Sequence, residues 1–347
     1  MPKQNFSTTW LALTYNCNNK CNWCYANSNN LTQKQIFPQR YENGTINLLT
    51  SLGIKRTILI GGEPTLYPNI HGIIEKITNY EISVGLVSNG RKLKDYFFAK
   101  ELKENGLKAM SISFGSYSGK IQDKITKIVG SFDEAIGGLE NALSVGLKVS
   151  SNTVINKNNV EDLEKIVNLL GKRVDIMTWN FCGTCLSEDS NNKSVLSPKE
   201  TAKAIQRIYN YTKKRNVKIK VVTPMPFCVF DNDYLEIFKK NDIISGGPCQ
   251  LAHGKNFVIE YNGNIIPCTH FNGFPMMNIF EKEKVISAED FIGKYFNSEG
   301  TPFKFRKMVS KFPSEKCEDE NCKEPCSGGC PLIWRLFKPE EVIKKYE

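Results

Sequence analysis

Thr9-Trp-Leu-Ala-Leu-Thr14, continued by Tyr-Asn-Cys17-Asn-Asn-Lys-Cys21-Asn-Trp-Cys24, joins a short apolar stretch to three closely spaced cysteines. The first six residues suit a strand buried on both faces, and the cysteines fall on the loop that leaves it. Stretches of the same kind recur at Arg56 to Ile60, Ile82 to Ser88, Ala109 to Phe114, Lys148 to Ile155 and Val174 to Phe181. Helical patterns fill the intervals. Phe132 to Val145 follows Ser131, a suitable N-cap, and stops before Gly146, while Val160 to Leu170 stops before Gly171. Pro198 to Tyr211 has Ser197 as cap and proline at its first position. Six β/α units in succession predict an α/β fold whose parallel sheet curls, through right-handed crossovers, into a partial (β/α)6 barrel.

Near residue 223 the texture changes. Thr223-Pro224-Met225-Pro226 breaks the alternation, Asp231 to Lys240 suits a bridging helix, and from Gly246 onward the chain is rich in Cys, Gly and Pro. This predicts a barrel over 1–225, a bridging segment over 226–248 and a small Cys-rich domain over 249–347. The 347 residues suffice for a core domain with such an appendage, and 40% hydrophobic with 24% charged residues is ordinary globular composition. No apolar run is long enough to span a bilayer and no export signal leads the chain, so a cytoplasmic protein without membrane contact is expected.

Twelve cysteines in a reducing compartment call for metal or cluster ligation rather than disulfides. With three histidines, several mixed Cys/His zinc sites are disfavoured. The formal charge of +10 would suit nucleic acid or an acidic peptide, but Lys and Arg are spread along the chain with only short clusters such as Lys213-Lys214-Arg215. A lysine-rich solvated surface is the plainer reading, and nucleic-acid binding is not expected.

Cys17-x3-Cys21-x2-Cys24 puts three thiols within eight residues. Such a trio can ligate three irons of a [4Fe–4S] cubane and leave the fourth iron open to a substrate. The alternative, a zinc site one ligand short, lacks the paired C-x2-C units that zinc usually takes. Gly61-Gly62-Glu63-Pro64 follows the second strand directly, where ligands bind in parallel α/β folds. Two glycines there allow close backbone approach, and a carboxylate can meet an ammonium.

Together these motifs resemble those of the radical S-adenosylmethionine (SAM) superfamily. The resemblance implies that Cys17, Cys21 and Cys24 hold the cluster, that Trp23 lies near the adenine, and that Gly61, Gly62, Glu63 and Pro64 receive the SAM amino group. Polar residues at later strand ends, Ser88, Ser113 and Asn152, become candidates for the SAM carboxylate and ribose; otherwise they simply cap helices.

Cys249, Cys268, Cys317, Cys322, Cys326 and Cys330 crowd the last hundred residues. Asn262-Gly263 between apolar runs predicts a hairpin over Phe257 to Cys268, with Cys268 on its second strand. The Gly-x4-Cys opening and the closing cysteine run are similar to SPASM and twitch domains, which carry auxiliary iron–sulfur clusters. A four-cysteine zinc knot is the alternative, although C-x4-C-x3-C-x3-C is not the usual zinc-ribbon spacing. The SPASM pattern has seven cysteines, differently spaced and with one more downstream. Six here, or seven with Cys228, allow one auxiliary cluster, or two with one iron open or otherwise ligated. By analogy Cys249, Cys268 and Cys330 share the nearer cluster, and Cys317, Cys322 and Cys326 the farther one. Cys182-Gly-Thr-Cys185 ends the sixth strand and Cys228 follows the last barrel-like strand. Each is a candidate hydrogen-atom donor, or an ordinary buried small residue.

The resemblance implies reductive cleavage of SAM to a 5′-deoxyadenosyl radical that takes hydrogen from substrate, with flavodoxin or ferredoxin as reductant. The auxiliary-domain likeness points to a ribosomally made peptide undergoing cross-linking, epimerisation or another oxidative change. Because the cluster motif starts at Cys17, either a separate leader-binding protein or direct recognition of the peptide by the barrel is expected. A sulfatase-maturating role is disfavoured, since Thr269-His270 stands where an acidic residue is expected. RNA or a carbohydrate is the alternative substrate, and an iron–sulfur scaffold or regulator the non-enzymatic alternative.

Overall fold

The computed structural model describes residues 6–21, 23–26, 35–181, 194–244, 254–310, 326 and 328–342. Seven parallel strands run in chain order across the sheet: β1 (Thr8–Thr14), β2 (Arg56–Gly61), β3 (Ser83–Ser88), β4 (Ala109–Ser113), β5 (Lys148–Ile155), β6 (Ile176–Phe181) and β7 (Ile219–Val221). The crossovers are α1 (Glu42–Ser51), α2 (Ile70–Asn79), α3 (Tyr96–Glu104), α4 (Gly119–Thr126) with α5 (Ser131–Ser144), α6 (Leu163–Leu170) and α7 (Pro198–Lys213). Thus the six β/α units are followed by a short seventh strand and by α8 (Asn232–Lys240), a helix where the sequence suits one. Among the described residues no helix is long and apolar enough to cross a membrane.

Burial explains the layering. In α2, Ile70, Ile73, Ile74 and Ile77 are all buried, an i, i+3, i+4, i+7 stripe pressed on the sheet. α6 does the same with Leu163, Ile166, Val167 and Leu170. Each such side chain contributes about 1.5–3 kcal/mol by leaving water. Their partners are Leu11, Leu59, Leu86, Met110, Ile112, Val149, Met177 and Trp179, the alternate strand residues of one sheet face.

Two local expectations need correction. Ser131 lies inside α5 rather than capping it, because Asp123 takes the N-terminal donors: Gly130 N–H at 2.6 Å, Ser131 hydroxyl at 2.8 Å and Phe132 N–H at 3.0 Å. Val160–Asp162 forms a 3-10 turn, and the α-helix begins only at Leu163. Ser197, by contrast, caps α7 as expected and forms a capping box with Glu200.

The C-terminal region returns to the start of the sheet. β8 (Val258–Ile259) pairs in parallel with β1, and β9 (Asn264–Ile266) and β10 (Met277–Asn278) follow antiparallel. Cys268 lies two residues beyond β9, at the start of a 3-10 turn, not on the hairpin's second strand. β11 (Phe280–Glu281) and β12 (Lys284–Val285) form a separate hairpin, followed by α9 (Ala288–Phe296) and α10 (Thr301–Val309). Phe6, Phe257, Phe291 and Tyr295 clasp this return, with ring centroids 5.0 to 6.0 Å apart.

Candidate active site at the strand ends

Glu63 is the centre of a built constellation. It is 1% exposed, and its Oε1 accepts from Thr65 N–H (3.1 Å), the Thr65 hydroxyl (2.7 Å) and the Ser88 hydroxyl (2.8 Å). Its Oε2 accepts from Asn89 N–H at 2.7 Å. Burial pushes the carboxyl above its ordinary range, and these donors oppose it. Oε2 retains capacity for a further donor, as an ammonium would supply. Pro64 opens the 3-10 turn that carries Thr65 back under the carboxylate.

The two preceding glycines serve the cysteine loop. Gly61 has φ +141°, and a Cβ there would lie 2.0 Å from Thr14 O; one on Gly62 would lie 2.4 Å from Tyr15 O and 2.5 Å from Asn16 O. Gly62 N–H donates to Thr14 O at 2.7 Å, and Glu63 N–H to Asn16 O at 2.8 Å. The glycines therefore admit the backbone that leads into Cys17. Tyr25 closes the far side by donating to Gly61 O at 2.8 Å.

Other contacts fix the loop between the cysteines. Asn19 N–H donates to Cys17 Sγ at 3.4 Å, Lys20 N–H to Thr126 O at 2.8 Å, and Asn89 Nδ2 to Asn18 Oδ1 at 2.7 Å. Arg91 donates to Asn18 O, to Asn19 Oδ1 and to Glu134. Tyr15 donates to Glu260 Oε1 at 2.5 Å, with its ring edge-on to Tyr261. Burial, with the Glu63 charge next, raises the Cys17 thiol; burial, with Cys24 next, pushes Cys21 up to about 12.

This donor set fits an iron–sulfur cluster. The three thiols are half-buried on one loop, and metal binding would release the protons of such thiols. Among the described residues no three His, Cys, Asp or Glu side chains converge as one shared ion requires. A cubane asks instead for three thiolates, each on its own iron. Trp23 is half-buried in the turn before Cys24.

Ser88 lies behind Glu63, holding it and accepting from Gly90 N–H at 2.9 Å. Ser113 and Asn152 are register partners on β4 and β5. Asn152 Oδ1 accepts from Asn180 Nδ2 at 2.6 Å, and Asn180 Oδ1 from the Thr223 hydroxyl at 2.8 Å. The sheet face away from the helices is apolar on the first strands (Trp10, Ala12, Ile58, Ile60, Val87). It turns polar on the later ones, where Ser111, Ser113, Asn152, Thr178 and Asn180 share it by register. Sequence reading missed Tyr15, Glu260, Asn180 and Thr223. Only the placement of Asn180 at the end of a predicted strand could have flagged one of them.

Of the C-terminal cysteines, Cys249, Cys317 and Cys322 lie outside the described residues, as do Cys182 and Cys185. Cys268 packs against the small apolar cluster that contains Cys330. Cys330 N–H donates to Pro224 O at 2.9 Å, and Cys326 Sγ accepts from Phe227 N–H at 3.4 Å, next to Cys228. The tail is thus laid along the segment after β7.

Comparison with known proteins agrees with this geometry. Residues 11–170 match the model of the radical SAM superfamily. The chain is 28% identical to the Fe-coproporphyrin III synthase of Methanosarcina barkeri over 66% of its own length and 58% of that protein. It is 31% identical to a probable GTP 3′,8-cyclase of Pyrococcus abyssi over 47% of its own length and 52% of that protein. It therefore spans little more than half of these curated relatives. SuiB of Streptococcus suis bound to precursor peptide SuiA superposes with a TM-score of 0.73 at 17% identity, over 99% of this chain and 76% of that one. anSMEcpe with bound AdoMet gives 0.71 at 20% identity, over 94% and 89%. At such identities the agreement is one of fold, and it extends into the C-terminal region.

Proposed function

We propose, from the premise that this chain carries a radical SAM domain, that the protein takes hydrogen from a ribosomally made peptide and leaves it cross-linked, epimerised or otherwise oxidised. One observation carries the choice of substrate class. On the inner face of β4 to β6, Ser111, Ser113, Asn152, Thr178 and Asn180 are polar but uncharged and stand beside the apolar Val154, and Lys220, on that face of β7, is paired with Asp242 at 2.7 Å. A nucleoside triphosphate or a polycarboxylate needs unpaired cations; amide and hydroxyl groups suit the neutral backbone of a peptide. The whole-chain likeness in fold to SuiB, solved with a precursor peptide, supports the same reading.

When bound, the cluster and SAM supply a 5′-deoxyadenosyl radical by one-electron cleavage. The chain's own residues orient and enclose. Cys17, Cys21 and Cys24 hold three irons, Glu63 receives the SAM ammonium on a carboxylate already fixed by Ser88, Thr65 and Asn89, and Trp23 lies toward the adenine. Ser113 and Asn152 border the ribose and carboxylate side. Cys249, Cys268, Cys317, Cys322, Cys326 and Cys330 hold one or two auxiliary clusters, while Cys182, Cys185 and Cys228 are candidate hydrogen donors. Flavodoxin or ferredoxin supplies electrons.

Anaerobic reconstitution with iron, sulfide, dithionite and SAM tests the reading. Deuterium should pass from labelled short peptides encoded beside the gene into 5′-deoxyadenosine. Loss of two hydrogens would indicate a cross-link or desaturation; solvent deuterium gained without oxidation would indicate epimerisation. Label transfer from GTP or RNA alone would overturn the peptide reading.

A further inference from the structure

Lys120, Lys124 and Lys127 stand at i, i+4 and i+7, all exposed, on α4 and the turn that ends it. Like charges at this spacing oppose helix formation. None of them, nor the exposed Lys20, lies within ion-pair distance of a carboxylate among the described residues. In the following turn Val129 is 95% exposed. This turn is not loose: Asp123 accepts three of its hydrogen bonds, and Thr126 and Ser131 share another at 2.7 Å. The patch also borders the N-terminal cysteines, since Lys20 N–H donates to Thr126 O at 2.8 Å. An exposed valine two residues from Lys127, on a turn held by Asp123 and joined to the cysteine loop through Lys20, offers a firm, cationic surface next to the N-terminal cysteines, as the charged part of an interface would.

We infer that Lys20, Lys120, Lys124, Lys127 and Val129 form the docking surface for a small acidic one-electron carrier protein that reduces the N-terminal cluster. The inference rests on the radical SAM reading and deepens it by placing the electron donor. The step is a single electron transfer: the reduced carrier is oxidised by one electron, the cluster is reduced by one, and no bond or proton moves. Cationic steering raises association rates, and salt screens it.

The test compares wild type with K124E/K127E and with K214E/K218E, a charge-matched control in the exposed connection between α7 and β7. Binding of oxidised flavodoxin to each unloaded protein is measured by surface plasmon resonance. Reduction by flavodoxin hydroquinone is followed through the EPR signal that SAM perturbs. At low salt the patch variant should bind and be reduced about tenfold more weakly and slowly than wild type, and the gap should close at high salt. The control pair should behave as wild type, and dithionite should reduce all three alike. Equal losses in both variant pairs, or none in K124E/K127E, would overturn the docking site. Flavodoxin-dependent reduction sensitive to the patch, but with no 5′-deoxyadenosine formed, would overturn the radical reading and leave the docking surface standing.

Discussion

The Tyr15 hydroxyl donates to the Glu260 carboxylate at 2.5 Å, joining the residue two positions before Cys17 to the turn between β8 and β9. Glu260 is 3% exposed, so a lost donor is not replaced by water. Tyr15→Phe should cost about 1–3 kcal/mol in chemical denaturation. The N-terminal iron should be lost sooner on chelator challenge, because the cysteine loop then has one anchor fewer.

The same pair gives a pH signature. Burial, opposed by the Tyr15 and Asn264 hydrogen bonds, holds the Glu260 carboxyl above its ordinary range. A group raised on folding contributes stability that is complete below the ordinary carboxylate value of about 4.3 and is lost as pH rises through the folded value. Glu260→Gln keeps an acceptor for Tyr15 and removes the charge. The difference in stability between variant and wild type should therefore grow in the variant's favour from about pH 4.3 upward and then level off.

Ser88→Ala removes one of three donors on Glu63 Oε1 without opening a large cavity. A hydrogen bond to a charged group contributes about 1.5–3 kcal/mol, so SAM affinity should fall about ten- to a hundredfold. Equilibrium dialysis of the cluster-loaded protein measures it, and thermal stability should change less than SAM binding does.

Gly62→Ala places a methyl group 2.4 Å from Tyr15 O, a backbone atom that cannot swing aside. The expected cost is about 1–3 kcal/mol, taken up by displacing the loop rather than by unfolding the barrel. Circular dichroism should remain native-like while iron content drops.

Ser197→Ala breaks the reciprocal cap with Glu200 and should lower stability by about 1 kcal/mol. Hydrogen bonds from the Ser197 side chain, then its backbone, hold the Glu200 carboxyl below its usual range. That contribution is present above about pH 4.3 and fades as pH falls through the lower folded value, so the gap between wild type and variant should narrow in acid without closing, because the cap bond from Glu200 N–H to Ser197 Oγ does not titrate.

The strands and the cysteine loop were legible because their signals are local: apolar runs, glycines after them, thiols at fixed spacing. Gly61 and Gly62 are recognisable as special from sequence, but their reason is the Thr14 to Asn16 backbone of another strand. Ser131 reads as a cap until Asp123, eight residues earlier, is seen to occupy its donors. Tyr15 and Glu260 are 245 residues apart, and no periodicity connects them. The inner-face ladder of Asn152, Asn180 and Thr223 depends on strand register, which emerges only from packing.

The pairing of β8 with β1 has a consequence for the order of events during synthesis. Trp10 N–H and the Thr9 hydroxyl both wait for Phe257 O, which is made 248 residues after Thr9. Until then β1 is an open-edged strand, with the aggregation hazard such edges carry. The first cysteines to be translated therefore acquire their complete surroundings only after Phe257 and Glu260 have been made.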